Sequence, residues 1–311
     1  MPRSIIRNLI RGQPPTRQLF IPLIFTLAAK LDGIPLPTFL TNPTKIANAL
    51  TAIHHRLHTD GVVGYFDLTL VAEALGCQLD WHSVPPVIAV PQAEAILKKM
   101  QLNPHELKER GRIPVALEVV QRLHMTLRDG PALLVGLPGP LRLAQQLFGK
   151  DFAGRLNTGD GEAEDILDTL TEMILYLSQA FCLVGTHLLV IDEEVVPAAV
   201  MQQWESAMVA LWNAIRFHGA LPILCADSSI QFRDLAGALL ICLAPQSGNE
   251  SPVPDWPFAL ALPAVEAPPL DITRWISSNH CVLITTDGEI PYQTEIQNLQ
   301  QRITAMRSIL A

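Results

Sequence analysis

Eight short apolar runs recur from one end of the chain to the other, and they constrain the fold more than any other feature. They are Leu19–Phe25, Val62–Phe66, Ala132–Leu137, His187–Ile191, Leu221–Cys225, Ala238–Leu243, Phe258–Leu262 and Cys281–Thr285. Each is strand-length and apolar throughout rather than alternating, the pattern of parallel strands covered on both faces. Helical patterns separate most of them, at roughly Pro91–Met100, Val115–Leu127, Pro140–Phe148, Ala163–Cys182, Ala198–Phe217 and Ile272–Ser277. An earlier helix runs from Pro43 to about Leu57, with Asn42 placed as its cap and Pro43 as its first residue. A last helix begins near Thr294, where Thr294 and Gln297 match a capping box. Eight parallel strands with crossover helices predict an α/β fold, a single TIM-type (β/α)8 barrel domain over residues 1–311. The crossover between the sixth and seventh runs, Pro245–Pro257, holds four prolines and is expected to be irregular.

Composition narrows the partners. The formal charge is −8 and Lys and Arg are not clustered, which argues against nucleic acid, because phosphate neutralisation needs a basic patch. No uninterrupted apolar run reaches the ~18 residues of a membrane span. The basic amino-terminal stretch (Arg3, Arg7, Arg11) and the apolar run from Leu19 to Ala29 fit a signal peptide poorly, since the run sits late and contains Pro22. The five cysteines are scattered, odd in number and free of any CxxC pair, as expected for reduced thiols in a cytoplasmic protein.

In a parallel barrel the chemistry gathers where strands end. Here four runs close on a carboxylate: Gly-Tyr-Phe-Asp67, Leu-Val-Ile-Asp192, Leu-Cys-Ala-Asp227 and Thr-Thr-Asp287. Carboxylates converging on one mouth attract a metal or a proton-donating ligand, although each could instead cap the following helix. Cys225 and Asp227 share one face of a strand and could form half a metal site; a buried structural cysteine is the competing reading. His54 and His58 have the i, i+4 spacing of metal ligands but no evident third donor. The acidic cluster Asp160, Glu162, Glu164 and Asp165 opens a long helix and complements its dipole. Gly136-Leu-Pro-Gly139-Pro140 is a strand-to-helix turn whose amides could receive an anion, without the Lys of a phosphate loop.

Several segments together resemble the uroporphyrinogen decarboxylase and corrinoid methyltransferase superfamily. Gly64-Tyr-Phe-Asp67 through Glu73 to Cys77 is similar to the segment that sets an acidic residue beside that family's substrate. Gly136-Leu-Pro-Gly139-Pro140-Leu-Arg-Leu-Ala144 resembles its Gly-Pro turn, and Thr285-Thr-Asp287-Gly-Glu-Ile-Pro291 with Asn298-Leu resembles its last strand and helix. Ile34–Ala49 is similar to the early helix of the methyltransferase branch.

The resemblance implies a TIM-type barrel with one of two chemistries. One branch decarboxylates a porphyrinogen; the other moves methyl groups between corrinoid proteins and thiols, using zinc to form a thiolate. The decarboxylase branch's early arginine pair is replaced around Phe25–Lys30, where Lys30 is the remaining cation. The methyltransferase branch's His-x-Cys is replaced by Cys225-Ala-Asp227, and its late Cys by Asp287-Gly288. The expectation is therefore a divergent methyltransferase-type C1-transfer enzyme acting on a small-molecule substrate or a corrinoid protein. Asp67, Asp192 and Asp287 would be its catalytic residues, Gly139 and Pro140 its cofactor-binding turn, and Cys225 and Asp227 the ligands of a zinc ion. The alternatives are a non-enzymatic tetrapyrrole- or corrinoid-binding barrel and a porphyrinogen decarboxylase-like lyase. The oligomeric state is left open between monomer and homodimer.

Overall fold

The structure is a computed structural model describing residues 1–89, 104–128, 130–193, 196–226, 240–244, 253–264 and 272–310. Every expected strand is present. We number the barrel strands β1 (Leu19–Phe20), β2 (Gly61–Phe66), β3 (Ala132–Pro138), β4 (Leu188–Glu193), β5 (Leu221–Ala226), β6 (Leu240–Leu243), β7 (Phe258–Leu262) and β8 (Cys281–Thr286). They form one parallel sheet in the order β1-β8-β7-β6-β5-β4-β3-β2. Its two end strands, β1 and β2, face each other across the remaining seam, so the sheet is a nearly closed TIM-type barrel. The parallel pairing follows from the apolar composition: β2, β3 and β8 are buried at every position, which requires cover on both faces.

A carboxylate bridges the seam. The Asp60 amide donates to the Phe20 carbonyl at 3.0 Å, and Asp60 Oδ2 accepts from the Phe20 amide at 2.9 Å. Arg17 then grips both Asp60 oxygens, at 2.8 and 2.6 Å. The first run is strand for only two residues; beyond Phe20 the chain turns into a short helix at Leu27–Leu31.

Local chemistry explains most helix boundaries. Asn42 caps the Pro43–Leu57 helix, its Oδ1 accepting from the Lys45 amide at 3.0 Å. Asp160 caps Gly161–Leu183, accepting from the amides of Glu162 and Ala163. That helix has the length and mean hydropathy of a membrane span, yet just over half of its apolar window is buried against the barrel and its neighbours. The last helix starts at Ile296, two residues past Thr294, and the Thr294 amide instead closes a turn onto the Pro291 carbonyl. The expected helix Pro91–Met100 and most of the proline-rich crossover lie outside the described residues.

Two features arise from tertiary contact. The amino-terminal basic stretch is a helix, Pro2–Ile10, lying against the amino-terminal end of the barrel. Its Arg3 donates to the carbonyls of Leu127, Arg128 and Pro131, closing the end of the Ile113–Thr126 helix. A short antiparallel ribbon, Leu79–Asp80 with Val87–Ile88, extends from the loop after β2.

Candidate functional site

Asp67 sits one residue past β2, at the carboxyl-terminal mouth of the barrel. Its Oδ1 accepts from the Thr69 amide (2.9 Å) and hydroxyl (2.7 Å), so it turns the chain into the helix Leu70–Ala74. Its Oδ2 accepts from Arg112 Nη1 at 2.6 Å, and Arg112 Nε reaches Glu73 Oε2 at 2.7 Å. The Arg112 guanidinium also lies 5.1 Å from the Trp81 ring on the ribbon. Burial opposes a charged guanidinium, but Asp67, Tyr65 and Glu73 outweigh it and hold its pKa above the ordinary value. Asp67 is thus a buried, ion-paired carboxylate with its acceptor sites largely taken.

A second carboxyl stands beside it. Glu289, in the loop after β8, accepts hydrogen bonds at Oε1 from the Thr26 amide and hydroxyl on the loop after β1. Burial, aided by the Asp67 charge and opposed by the Thr26 bonds, pushes its pKa up to about 7. A carboxyl that titrates near neutrality can hold or release a proton in the working range. Its loop is fixed by the Ile290 amide on the Leu23 carbonyl (2.7 Å) and by Thr286 Oγ1, which accepts from the Leu23 amide at 3.0 Å.

The opposite arc of the mouth is built by β3 to β6. Asp192 and Glu193 are neighbours in β4, so the pleat sends them to opposite faces. Glu193 points outward and is fully buried, accepting from Arg142 N (2.7 Å), Leu141 N (3.2 Å) and Trp204 Nε1 (3.1 Å). Asp192 points inward and pairs with Arg142 Nη2 at 2.7 Å. Cys225 is its direct partner on β5, and Cys242 is the partner of Cys225 on β6. Cys225 shares a hydrogen bond with Cys242. That bond, burial, and the charges of Cys242 and Asp192 push the Cys225 thiol well up, against the pull of Arg142.

These contacts place each expected site residue. Asp67 and Asp192 are both at the mouth, each neutralised by an arginine. Asp287 is exposed and structural in its contacts: its amide donates to Leu262 O at 2.8 Å and its Oδ1 accepts from Ala264 N at 2.9 Å, tying the ends of β7 and β8 together. Gly139 and Pro140 do form a turn whose following amides bind an anion, but that anion is the chain's own Glu193. A Cβ on Gly139 would lie 2.4 Å from the Glu193 carboxylate, which explains the glycine. Cys225 is at the mouth as expected, whereas Asp227 lies outside the described residues.

Lys30 does not reach the mouth in place of the missing arginines. It holds Glu295 at 3.0 Å and the carbonyls of Gln293 and Thr294. His58 ends the Pro43–Leu57 helix as its cap, in a left-handed conformation (φ 51°), and no third metal donor joins it and His54 among the described residues.

Four residues that carry much of the site were not singled out by sequence: Arg112, Glu193, Glu289 and Cys242. Glu193 and Glu289 adjoin expected residues and were legible as neighbours. Arg112 sits in the charged stretch Lys108-Glu-Arg110-Gly-Arg112, which reads as an exposed face, and nothing in sequence marks it. A zinc ion needs soft donors here. Among the described residues no group of three or more His, Cys, Asp and Glu could hold a metal ion; Cys225 and Cys242 offer two soft donors and no more.

Comparison with known proteins agrees with this architecture. The family model for uroporphyrinogen decarboxylase (URO-D) matches residues 1–215. The methylated-thiol–coenzyme M methyltransferase of Methanosarcina mazei is 30% identical over 129 residues, which cover 40% of this chain and 34% of that protein. The methylcobamide:CoM methyltransferase MtaA of Methanosarcina barkeri is 25% identical over 173 residues, 54% of this chain and 50% of that one. MtbA of Methanosarcina acetivorans, of the same description, is 26% identical over 191 residues, 58% and 54%. The matches thus span between a third and just over half the length of these relatives. A solved methyltransferase structure from Methanosarcina mazei superposes with a TM-score of 0.80 at 19% identity, covering 100% of this chain and 99% of that one, a likeness of fold. With the model matched over more than half its length, on a barrel of that architecture, this chain belongs to the uroporphyrinogen decarboxylase family.

Proposed function

We propose that this protein is a methyltransferase-type C1-transfer enzyme, moving a methyl group between a corrinoid and a small thiol at the barrel mouth. The observation that carries the reading is the inward-facing arc of Asp192, Cys225 and Cys242, which offers soft sulfur donors where a porphyrinogen decarboxylase would need cations for carboxylates. Lys30 is committed elsewhere, and Arg112 and Arg142 are paired with Asp67 and Asp192. The matched relatives named as coenzyme M methyltransferases support the same chemistry.

In this scheme the acceptor thiol loses its proton, its sulfur takes the methyl group, and the electron pair of the cobalt–carbon bond stays on cobalt. If zinc is bound, Cys225 and Asp227 would hold it, and it would supply the Lewis acidity that keeps a thiolate at neutral pH. Glu289 is the carboxyl suited to take the released proton, because it titrates near neutrality. Asp67, locked to Arg112, orients the mouth and contributes the charge that keeps Glu289 protonatable.

The test is consumption of methylcobalamin with coenzyme M as acceptor, followed by absorbance and by identification of the methyl thioether. Transfer that disappears in the Cys225→Ala/Asp227→Ala double variant supports the reading. Spectral binding of the corrinoid with no transfer to any small thiol would sink it in favour of a non-enzymatic corrinoid-binding barrel.

A further inference from the structure

The crossover helices of a parallel barrel end where the next strand begins, at the end opposite the mouth. The carboxyl ends of Ile113–Thr126, Gly161–Leu183 and Met201–Phe217 therefore stand at the starts of β3, β4 and β5. The Leu133 amide donates to His187 Nδ1 (3.2 Å) and the Leu221 amide to the His187 carbonyl (2.9 Å), which holds those three strand starts together. Helix Pro2–Ile10 lies across them. Arg3 donates to the Leu127, Arg128 and Pro131 carbonyls beside the first helix end. From the last helix end, Arg216 Nη2 donates to the Ile10 carbonyl at 3.2 Å. Ile5 and Ile6 are buried, while Ser4, Arg7 and Arg11 are exposed at the spacing of one helical face.

Charge is segregated at this end. The protein as a whole carries 30 acidic and 22 basic side chains, a formal charge of −8. Yet residues 1–12, with the last turns of the three helices and the loops after them, bring Arg3, Arg7, Arg11, Arg128 and Arg216 together here. No described residue in those segments is acidic; the one acid in their sequence, Asp129, lies outside the described residues. The charges of Arg3 and Arg7 converge on His187, where they add to burial in pushing its pKa down. Three large apolar side chains project at the helix ends: Phe217 is 86% exposed, Leu183 73% and Met125 51%. Gly161–Leu183 packs on both of the other helices, so the tips stand ~10 Å apart, the ordinary spacing of packed helices. Single exposed apolar residues are common; several gathered at one end with an excess of positive charge mark an interaction surface.

We propose that this end of the barrel docks the protein on an anionic phospholipid surface. Met125, Leu183 and Phe217 enter the boundary between headgroups and acyl chains, and the arginines lie against lipid phosphates. Three arguments select lipid. The basic face needs an acidic partner, and anionic headgroups attract basic residues over a broad area. Side chains exposed this far project from the surface rather than line a groove, so they suit a deformable partner into which each tip sinks separately. A second copy meeting this face through a two-fold axis would set the same arginines against one another. Docked in this way, the protein keeps its mouth, at the other end, open to solvent. The inference does not depend on the chemistry performed at the mouth.

The test is sedimentation of the 311-residue chain with vesicles of phosphatidylcholine alone and of phosphatidylcholine with phosphatidylglycerol in equal parts. The protein should sediment with the anionic vesicles, stay in solution with the neutral ones, and be released by salt. Leu183→Gln/Phe217→Gln and Arg7→Gln/Arg11→Gln should each weaken binding on the order of tenfold or more. Val209→Gln, which removes an exposed apolar residue from the middle of Met201–Phe217, should bind as the unmodified protein does. Amide exchange of the unmodified protein should slow with anionic vesicles in residues 1–12 and at the three helix ends, and stay unchanged at the mouth. That readout does not depend on how any variant folds. No binding to anionic vesicles, or binding that both double variants retain, overturns the proposal. Self-association lost in Leu183→Gln/Phe217→Gln, without vesicle binding, overturns it in favour of a second copy. Binding to polyglutamate but not to vesicles overturns it in favour of an acidic protein.

Discussion

Arg112 Nη1 donates to Asp67 Oδ2 over 2.6 Å, with both side chains only 4% exposed, and this pair anchors the β2 side of the barrel mouth. Removing the cation leaves a buried carboxylate without its counter-charge, which costs roughly 3–5 kcal/mol. Arg112→Met should therefore destabilise the fold by that order in urea denaturation. Glu73→Gln should cost much less, because Glu73 is 21% exposed and water can replace the lost bond.

Glu289 and His187 give opposite pH dependences. The Glu289 pKa rises to about 7, so between its ordinary 4.5 and 7 the folded state holds a proton the unfolded chain has lost, and stability falls as pH rises. The full effect is at most about 3 kcal/mol, less what solvent screening removes. His187 is pushed down to about 3, chiefly by burial, so its folded form is the neutral one and stability falls as pH drops from 6.5 towards 3. Glu289→Gln should gain stability relative to the unmodified protein on going from pH 5 to pH 8. A difference that stays constant between those two pH values would contradict the assignment.

The Glu193 carboxylate fills the space in front of Gly139. Gly139→Ala would place a methyl group 2.4 Å from it, forcing the helix Pro140–Phe148 away from β4. We expect a loss of about 1–3 kcal/mol, the usual cost of overpacking. Thermal unfolding of the variant beside the unmodified protein measures it.

Asp60 substitutes for the missing ladder between β1 and β2. Asp60→Ala strands the Phe20 amide and should cost about 1–3 kcal/mol, whereas Arg17→Ala should cost under about 1 kcal/mol, its side chain being 51% exposed. Amide exchange at Phe20 should accelerate in the first variant more than in the second.

The strand positions and the parallel barrel were determined by the sequence itself. A run such as Phe258–Leu262 is apolar at every residue, and only a strand covered on both faces buries all of it. Asn42 and Asp160 set their helix starts for an equally local reason, since a side-chain oxygen reaches amides two or three residues ahead. The boundary at Thr294 did not follow, because the preceding turn on Pro291 delays that helix.

The mouth also was legible in part: Asp67, Asp192, Asp287 and Cys225 occupy strand ends, as their spacing required. What each does there was decided only by tertiary structure, because charge state depends on which cation arrives from elsewhere. Arg112 comes from 45 residues away and Arg142 from 50, and no local pattern encodes those encounters. The same holds for Glu193, which fills the anion site at the Gly139 turn, and for Cys242, which becomes a partner of Cys225 through the register of two strands. Sequence periodicity fixes which face a side chain takes; long-range packing chooses what it meets.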